Sequence, residues 1–128
     1  MRHSFYHTKV IKEAADPSAT TTMKPLHNPD VDALFDTILS LKNRDECYAF
    51  FEDACTIKEI LDISQRLKAA RMLSAGANYA DVSRETGMST ATISRVSKCL
   101  DYGAGGYRLV IDRNAKCKMQ NAKSEGEE

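Results

Sequence analysis

The sequence predicts an all-α protein, a bundle of about six helices in which two short ones form a helix-turn-helix. Three observations predict it. From Val31 to Leu100 the apolar residues recur three and four apart, which is the spacing of one face of a helix. A capping residue precedes each stripe, at Asn28, Asn43, Thr56, Asn78 and Ser89. Gly76 and Gly87 stand where two stripes end, and glycine readily takes the left-handed backbone needed just past a helix C-terminus.

The first helix starts at Asn28. Pro29 suits its first position, and Asp30 and Asp32 complement the positive end of the helix dipole. Val31, Leu34, Phe35, Ile38 and Leu41 make one stripe. Asn43 with Glu46 is a capping box for a second helix, whose apolar face is Cys47, Phe50, Phe51 and Ala54, with Tyr48 beside it. Thr56 with Glu59 opens a third, which is expected to reach about Ala75 and to bury Ile57, Ile60, Ile63, Leu67, Ala70 and Leu73. The first two helices are too short to hold alone in water, and their wide stripes need a partner surface.

Asn78 to Leu100 is the stretch that points to function. Asn78 with Asp81 starts one short helix, Gly87 ends it, Met88 anchors the turn, and Ser89 caps the next. On the second helix Ile93, Val96 and Leu100 face inward, while Thr90, Ala91, Ser94 and Lys98 face outward. Small side chains at the front of such a helix let it approach base edges, where Thr and Ala can touch a thymine methyl. Ser89 to Leu100 carries two cations, Arg95 and Lys98, and no anion. The competing reading is an ordinary helical hairpin of a protein core, since amphipathic pairs around a glycine are common.

Beyond Leu100, Asp101 to Gly106 reads as a loop, and Tyr107, Leu109, Val110 and Ile111 as one short closing helix. Three segments follow: an arm over 1–27, of which 1–22 could be an upstream extension, a domain over 28–112, and a tail without fixed structure over 113–128. The patterned region is small for a self-sufficient core, which favours a homodimer over a monomeric bundle.

Composition sets further bounds. The chain has 128 residues with 18 Lys and Arg against 18 Asp and Glu, so it is no strongly basic, non-specific nucleic-acid binder. That neutrality is also the best support for an alternative reading, a helical module that docks on another protein such as a component of the transcription machinery. Cys47, Cys55, Cys99 and Cys117 form no C-x-x-C pair and read as buried free thiols. His3, His7 and His27 all lie in the arm with no carboxylate or thiol to complete a metal site, so no metal is expected. Paired carboxylates in a plausible cleft, a nucleophile triad and a phosphate-binding glycine loop are all lacking, and the protein is not read as an enzyme. No apolar run reaches the length of a membrane span, and a cytoplasmic protein with no membrane partner is expected.

The segments LFDTILSLK, ECYAFFEDACTIKEI, QRL and above all STATISRVSKCLDYG resemble the Trp repressor superfamily, and most closely its small YerC/YecD-type branch. The similarity covers about Asp30 to Arg113. It implies an all-helical, intertwined homodimer whose paired helix-turn-helix units bind double-stranded operator DNA and regulate transcription. It places Tyr79, Ala80, Ser89, Thr90, Ala91, Ser94 and Lys98 at the DNA, with Tyr79 and Ala80 replacing polar or basic residues of the repressor. The repressor's L-tryptophan pocket maps onto Thr56, Arg66 and Arg95. Val96, however, stands where the repressor has the glycine that makes room for the indole, so no tryptophan response and no cofactor is expected. Structural pairing or phosphate contact is the competing role for the two arginines.

Overall fold

Apolar stripes and caps of this kind fold into helices alone, and a computed structural model, which describes residues 25–126, contains six and no strand among those residues. They are α1 (Pro29–Leu39), α2 (Arg44–Ala54), α3 (Ile57–Ser74), α4 (Tyr79–Thr86), α5 (Thr90–Tyr102) and α6 (Gly106–Glu125). Of the arm read over 1–27, residues 1–24, with His3 and His7, lie outside the described residues. The chain divides into two compact units, one ending at Phe50 and one beginning at Phe51.

The expected caps form. Asn28 Oδ1 accepts from the Val31 amide at 2.9 Å, and the Asn28 side-chain amide donates to the Pro25 carbonyl at 3.0 Å, tying 25–27 to the start of α1. Asn43 Oδ1 accepts from the Glu46 amide at 2.9 Å, while a Glu46 carboxylate oxygen reaches back to the Lys42 amide at 2.7 Å. Thr56 Oγ1 accepts from the Glu59 amide at 3.2 Å and donates to the Glu59 carboxylate at 3.0 Å. Each such cap contributes about 1 kcal/mol, because it satisfies an amide that has no partner within the helix.

The core of the second unit consists of Ala69 and Ala70 from α3, Val82 from α4, and Ile93, Val96 and Leu100 from α5. Met72, Leu73, Ala77, Met88, Tyr107 and Ile111 pack around it. Two adjacent alanines with no exposed surface let α4 and α5 lie close on α3. At the joint of α5 and α6, the Arg108 guanidinium donates to the Leu100 carbonyl at 2.9 Å and to the Asp101 carboxylate at 3.2 Å. Gly103 is required there, because a Cβ would collide with the Cys99 carbonyl. Lys68 of α3 donates to the Glu85 carbonyl at 3.4 Å, placing a cation at the negative end of α4.

Three expectations are corrected. The closing helix is not short: α6 runs to Glu125, through the segment read as a structureless tail over 113–128. Beyond Ile111 the apolar residues are sparse and make no stripe, but Ala115, Lys116, Lys118, Met119, Gln120, Ala122 and Lys123 are strong helix formers, and intrinsic propensity carries the helix on. On α3, Ile57 and Ile63 are 75% and 54% exposed, and the alanine missed at 69 is buried instead. Periodicity marks which residues seek a partner, whereas burial follows where α4 and α5 pack, on the C-terminal half of α3. The thiols are free but not buried, with Cys47, Cys99 and Cys117 exposed and Cys55 half-buried.

Gly87→Ala tests the turn. Gly87 has φ 71° and open space where a Cβ would go, so the cost is conformational alone. The substitution is expected to destabilise the fold by roughly 1–2 kcal/mol in urea unfolding.

Candidate nucleic-acid interface

The interface begins with the turn between α4 and α5, whose backbone is held by side chains of α4. The Gly87 amide donates to the Ser83 carbonyl at 2.8 Å, closing α4. Thr86 Oγ1 donates to the Val82 carbonyl at 2.6 Å and accepts from the Met88 amide at 3.2 Å. Ser83 Oγ donates to the Met88 carbonyl at 2.9 Å. Both backbone groups of Met88 are therefore satisfied by hydroxyls one turn upstream, and its side chain packs on the core. The start of α5 is aimed by this lock and by its own cap: Ser89 Oγ accepts from the Thr92 amide at 3.3 Å and pairs with the Thr92 hydroxyl at 3.0 Å.

From that base α5 turns Ile93, Val96 and Leu100 inward, at 0%, 3% and 7% exposure. Ser89, Thr90, Ala91, Arg95 and Lys98 are exposed, and Ser94 is half-buried between the two faces. Tyr79 and Ala80 are exposed on the first turn of α4. Six of the seven residues expected at DNA thus lie on the two helices of the motif and the seventh, Ser89, caps the second; all but Ser94 are exposed.

The charges differ between the helices. On α4, Arg84 is neutralised by Asp81, one turn away. On α5, Arg95 and Lys98 have no ion pair among the described residues. The one acid of α5, Asp101, is engaged by Arg108. Unpaired cations beside a small-residue face suit a polyanion better than a neutral groove.

The three residues of the expected pocket lie on α3, its cap and α5. Thr56 is spent on the cap of α3, and Arg95 stands exposed on α5. Arg66 instead lines a cleft of about 420 Å³ between α3 and the turn, with Asp62 and Gln65 beside it and Thr86, Gly87, Met88 and Thr92 opposite. Val96 is part of the core, so the space a glycine would leave is filled. Among the described residues no group of three His, Cys, Asp or Glu could hold a metal ion. Among the described residues no helix is long and apolar enough to cross a membrane.

Several functional side chains escaped the sequence reading. The hydroxyls of Ser83 and Thr86 look like ordinary helix-surface residues, although their place one turn before Gly87 is a usable signal. Gln65 and Arg108 gave none, since their partners depend on how α3, α5 and α6 meet.

Comparison with known proteins agrees with this geometry. The family described as Trp repressor protein matches residues 29–115, from the start of α1 to the middle of α6. The Bacillus subtilis protein YerC is 53% identical over 97 residues, which cover 76% of this chain and 93% of YerC. A TrpR-like protein from Eubacterium eligens superposes with a TM-score of 0.69 at 52% identity, over 70% of this chain and 93% of that one. A Staphylococcus aureus structure described as a candidate Trp repressor gives 0.69 at 46% identity, over 75% and 96% of the two chains.

Removing the turn lock tests its role. Ser83→Ala and Thr86→Val should each cost about 1 kcal/mol in urea unfolding, since each withdraws a hydrogen bond from Met88. A double-mutant cycle should show coupling between them of at least about 0.5 kcal/mol, because both act on one residue.

Proposed function

The chain belongs to the Trp repressor family, and we propose that it is a sequence-specific, double-stranded-DNA-binding transcriptional regulator that acts as a homodimer. One observation carries the proposal. The face of α5 bearing Thr90 and Ala91 stands free, flanked by the unpaired Arg95 and Lys98, on a helix whose other side is locked to a turn and a core. Small side chains read base edges at close range, and the two cations hold the helix against phosphate. A cation count of two per recognition helix is modest, which fits a regulator that relies on two copies and on base contacts rather than on bulk charge.

Unused apolar surface supports the dimer. Neither α1 nor α2 contains a buried residue. Phe35 is 51% exposed and Leu39 is 81% exposed, a poor arrangement in water for side chains each worth about 1.5–3 kcal/mol when fully covered. A symmetric pair of heads also suits half-sites one helical turn apart.

Tryptophan does not serve as the effector in this reading. Val96 occupies the core, Thr56 is committed to a cap, and the cleft lined by Arg66 is not lined by Arg95. Arg95 is assigned to phosphate instead.

Genome-wide footprinting of the tagged protein is expected to return a repeated half-site. On that operator, the double variant Thr90→Glu with Ser94→Glu should abolish binding while leaving the circular dichroism spectrum unchanged. Undiminished binding would overturn the reading, and a stable protein partner with no footprint would favour the protein-docking alternative. Lys98→Ala should lower the slope of log affinity against log salt by about one. L-tryptophan should leave operator affinity unchanged. Light scattering should give the mass of two 14.2 kDa chains, and Phe35→Glu should shift it towards one.

A further inference from the structure

Beyond its joint with α5, the helix α6 parts from the core. Ile111 is the last of its side chains that packs there, and every described residue from Asp112 to Lys123 is exposed. Arg113, Lys116, Lys118 and Lys123 stand on that stretch with no acid between them; Asp112 precedes them, and Glu125, Glu127 and Glu128 follow. None of the four cations has an ion pair among the described residues. Lys116, Gln120 and Lys123 lie three, seven and ten residues after Arg113, so these four share one face of the helix. At about 1.5 Å per residue their stripe is about 15 Å long.

So short a stretch gains little helical stability in water without packing, and a partner that engages the stripe holds it. The side chains say what partner. Met119 is the one large apolar residue from Asp112 to Lys123, so the stretch fits neither a protein groove nor a bilayer surface, both of which take an apolar helix face. Unpaired cations in a row fit a polyanion. A stripe of about 15 Å spans about four successive phosphates of one DNA strand, which advance about 3.4 Å each along the duplex axis. From this row of uncommitted cations on an unpacked helix, we propose that the outer half of α6 is a second DNA-binding element, a basic arm that lies against duplex phosphates without reading sequence. Arg113, Lys116 and Lys123 meet phosphate oxygens, and the Gln120 amide between them donates one further hydrogen bond.

The arm is distinct from the reading face, which α4 and α5 supply. The family match ends at residue 115, before Lys116, Gln120 and Lys123. The arm also adds three cations to the two of the recognition helix, in a chain that is neutral overall. It rests on the proposed function only in taking duplex DNA as its polyanion, and it needs neither an operator nor a sequence preference. Contacts of this kind form on any duplex and weaken steeply with salt, because each one releases condensed counterions.

Fluorescence anisotropy of the full chain on a long duplex of random sequence, over a series of salt concentrations, tests the arm. The triple variant Arg113→Gln, Lys116→Gln and Lys123→Gln keeps good helix formers, so its circular dichroism spectrum should match that of the wild type. Its affinity at low salt should fall about tenfold or more, and its slope of log affinity against log salt should drop by about two to three. Lys116→Gln alone should lower the slope by about one, a check that does not depend on the triple variant. Lys42→Gln with Arg44→Gln and Lys58→Gln removes the same charge from the first half of the chain and should leave the slope unchanged; an equal drop there makes the effect one of net charge and overturns the arm. If the wild type binds its operator and the triple variant matches it on every duplex and at every salt, the arm is overturned and the proposed function stands. If random duplex is bound and the triple variant loses it, while footprinting finds no operator, the arm stands and the regulatory reading falls. Binding through these cations to single-stranded RNA or to phosphatidylglycerol vesicles, with none to duplex DNA, overturns the arm as well.

Discussion

Close packing of α4 and α5 against Ala69 and Ala70 of α3 is the constraint on which the rest of the molecule depends. Both alanines are fully buried, and Val82 and Ile93 are fully buried above them. A larger side chain at either position would push the helix-turn-helix off its support, since cores at this density tolerate little added volume. Nearly everything of functional interest follows from that seat. It sets which side of α5 faces outward, and it forms the cleft between α3 and the turn.

The turn is the second constraint. Its geometry uses one glycine in the left-handed region and two hydroxyls that satisfy the backbone of Met88. Hydrogen bonds of this kind contribute little net stability, but an unsatisfied Met88 backbone would cost more, so the arrangement specifies one turn rather than a family of them. The proposed reading head needs that specificity, because hydrogen bonds to base edges weaken steeply as their distance and angle depart from the optimum. Arg108 does similar work at the far end of α5, where it ties the Leu100 carbonyl and the Asp101 carboxylate to α6.

The small core contrasts with the apolar surface left over. Six residues are buried in the whole described chain, while Leu34, Phe35, Leu39, Tyr48, Ile57, Leu61 and Ile63 remain exposed. All seven lie on α1, α2 and the first half of α3. Further exposed apolar side chains, Tyr79, Tyr102, Leu109, Val110 and Met119, lie on α4, α5 and α6, so the first three helices carry much but not all of the surface that seeks cover, which fits the proposal that they serve association and that α4 and α5 serve recognition.

Much of this was legible in the residues themselves. Asn28, Asn43, Thr56, Asn78 and Ser89 determined where five helices begin, because a cap acts on amides within its own first turn. Gly87 determined the turn, and Ile93, Val96 and Leu100 determined the inner face of α5, because both signals are local and periodic. Tertiary structure alone decided that Ala69 rather than Ile63 is buried, that Arg66 lines a cleft with Thr86 and Thr92, and that Gln65 keeps an acceptor without a donor. Those outcomes depend on which surfaces of different helices meet, and periodicity within a single helix carries no information about its partner.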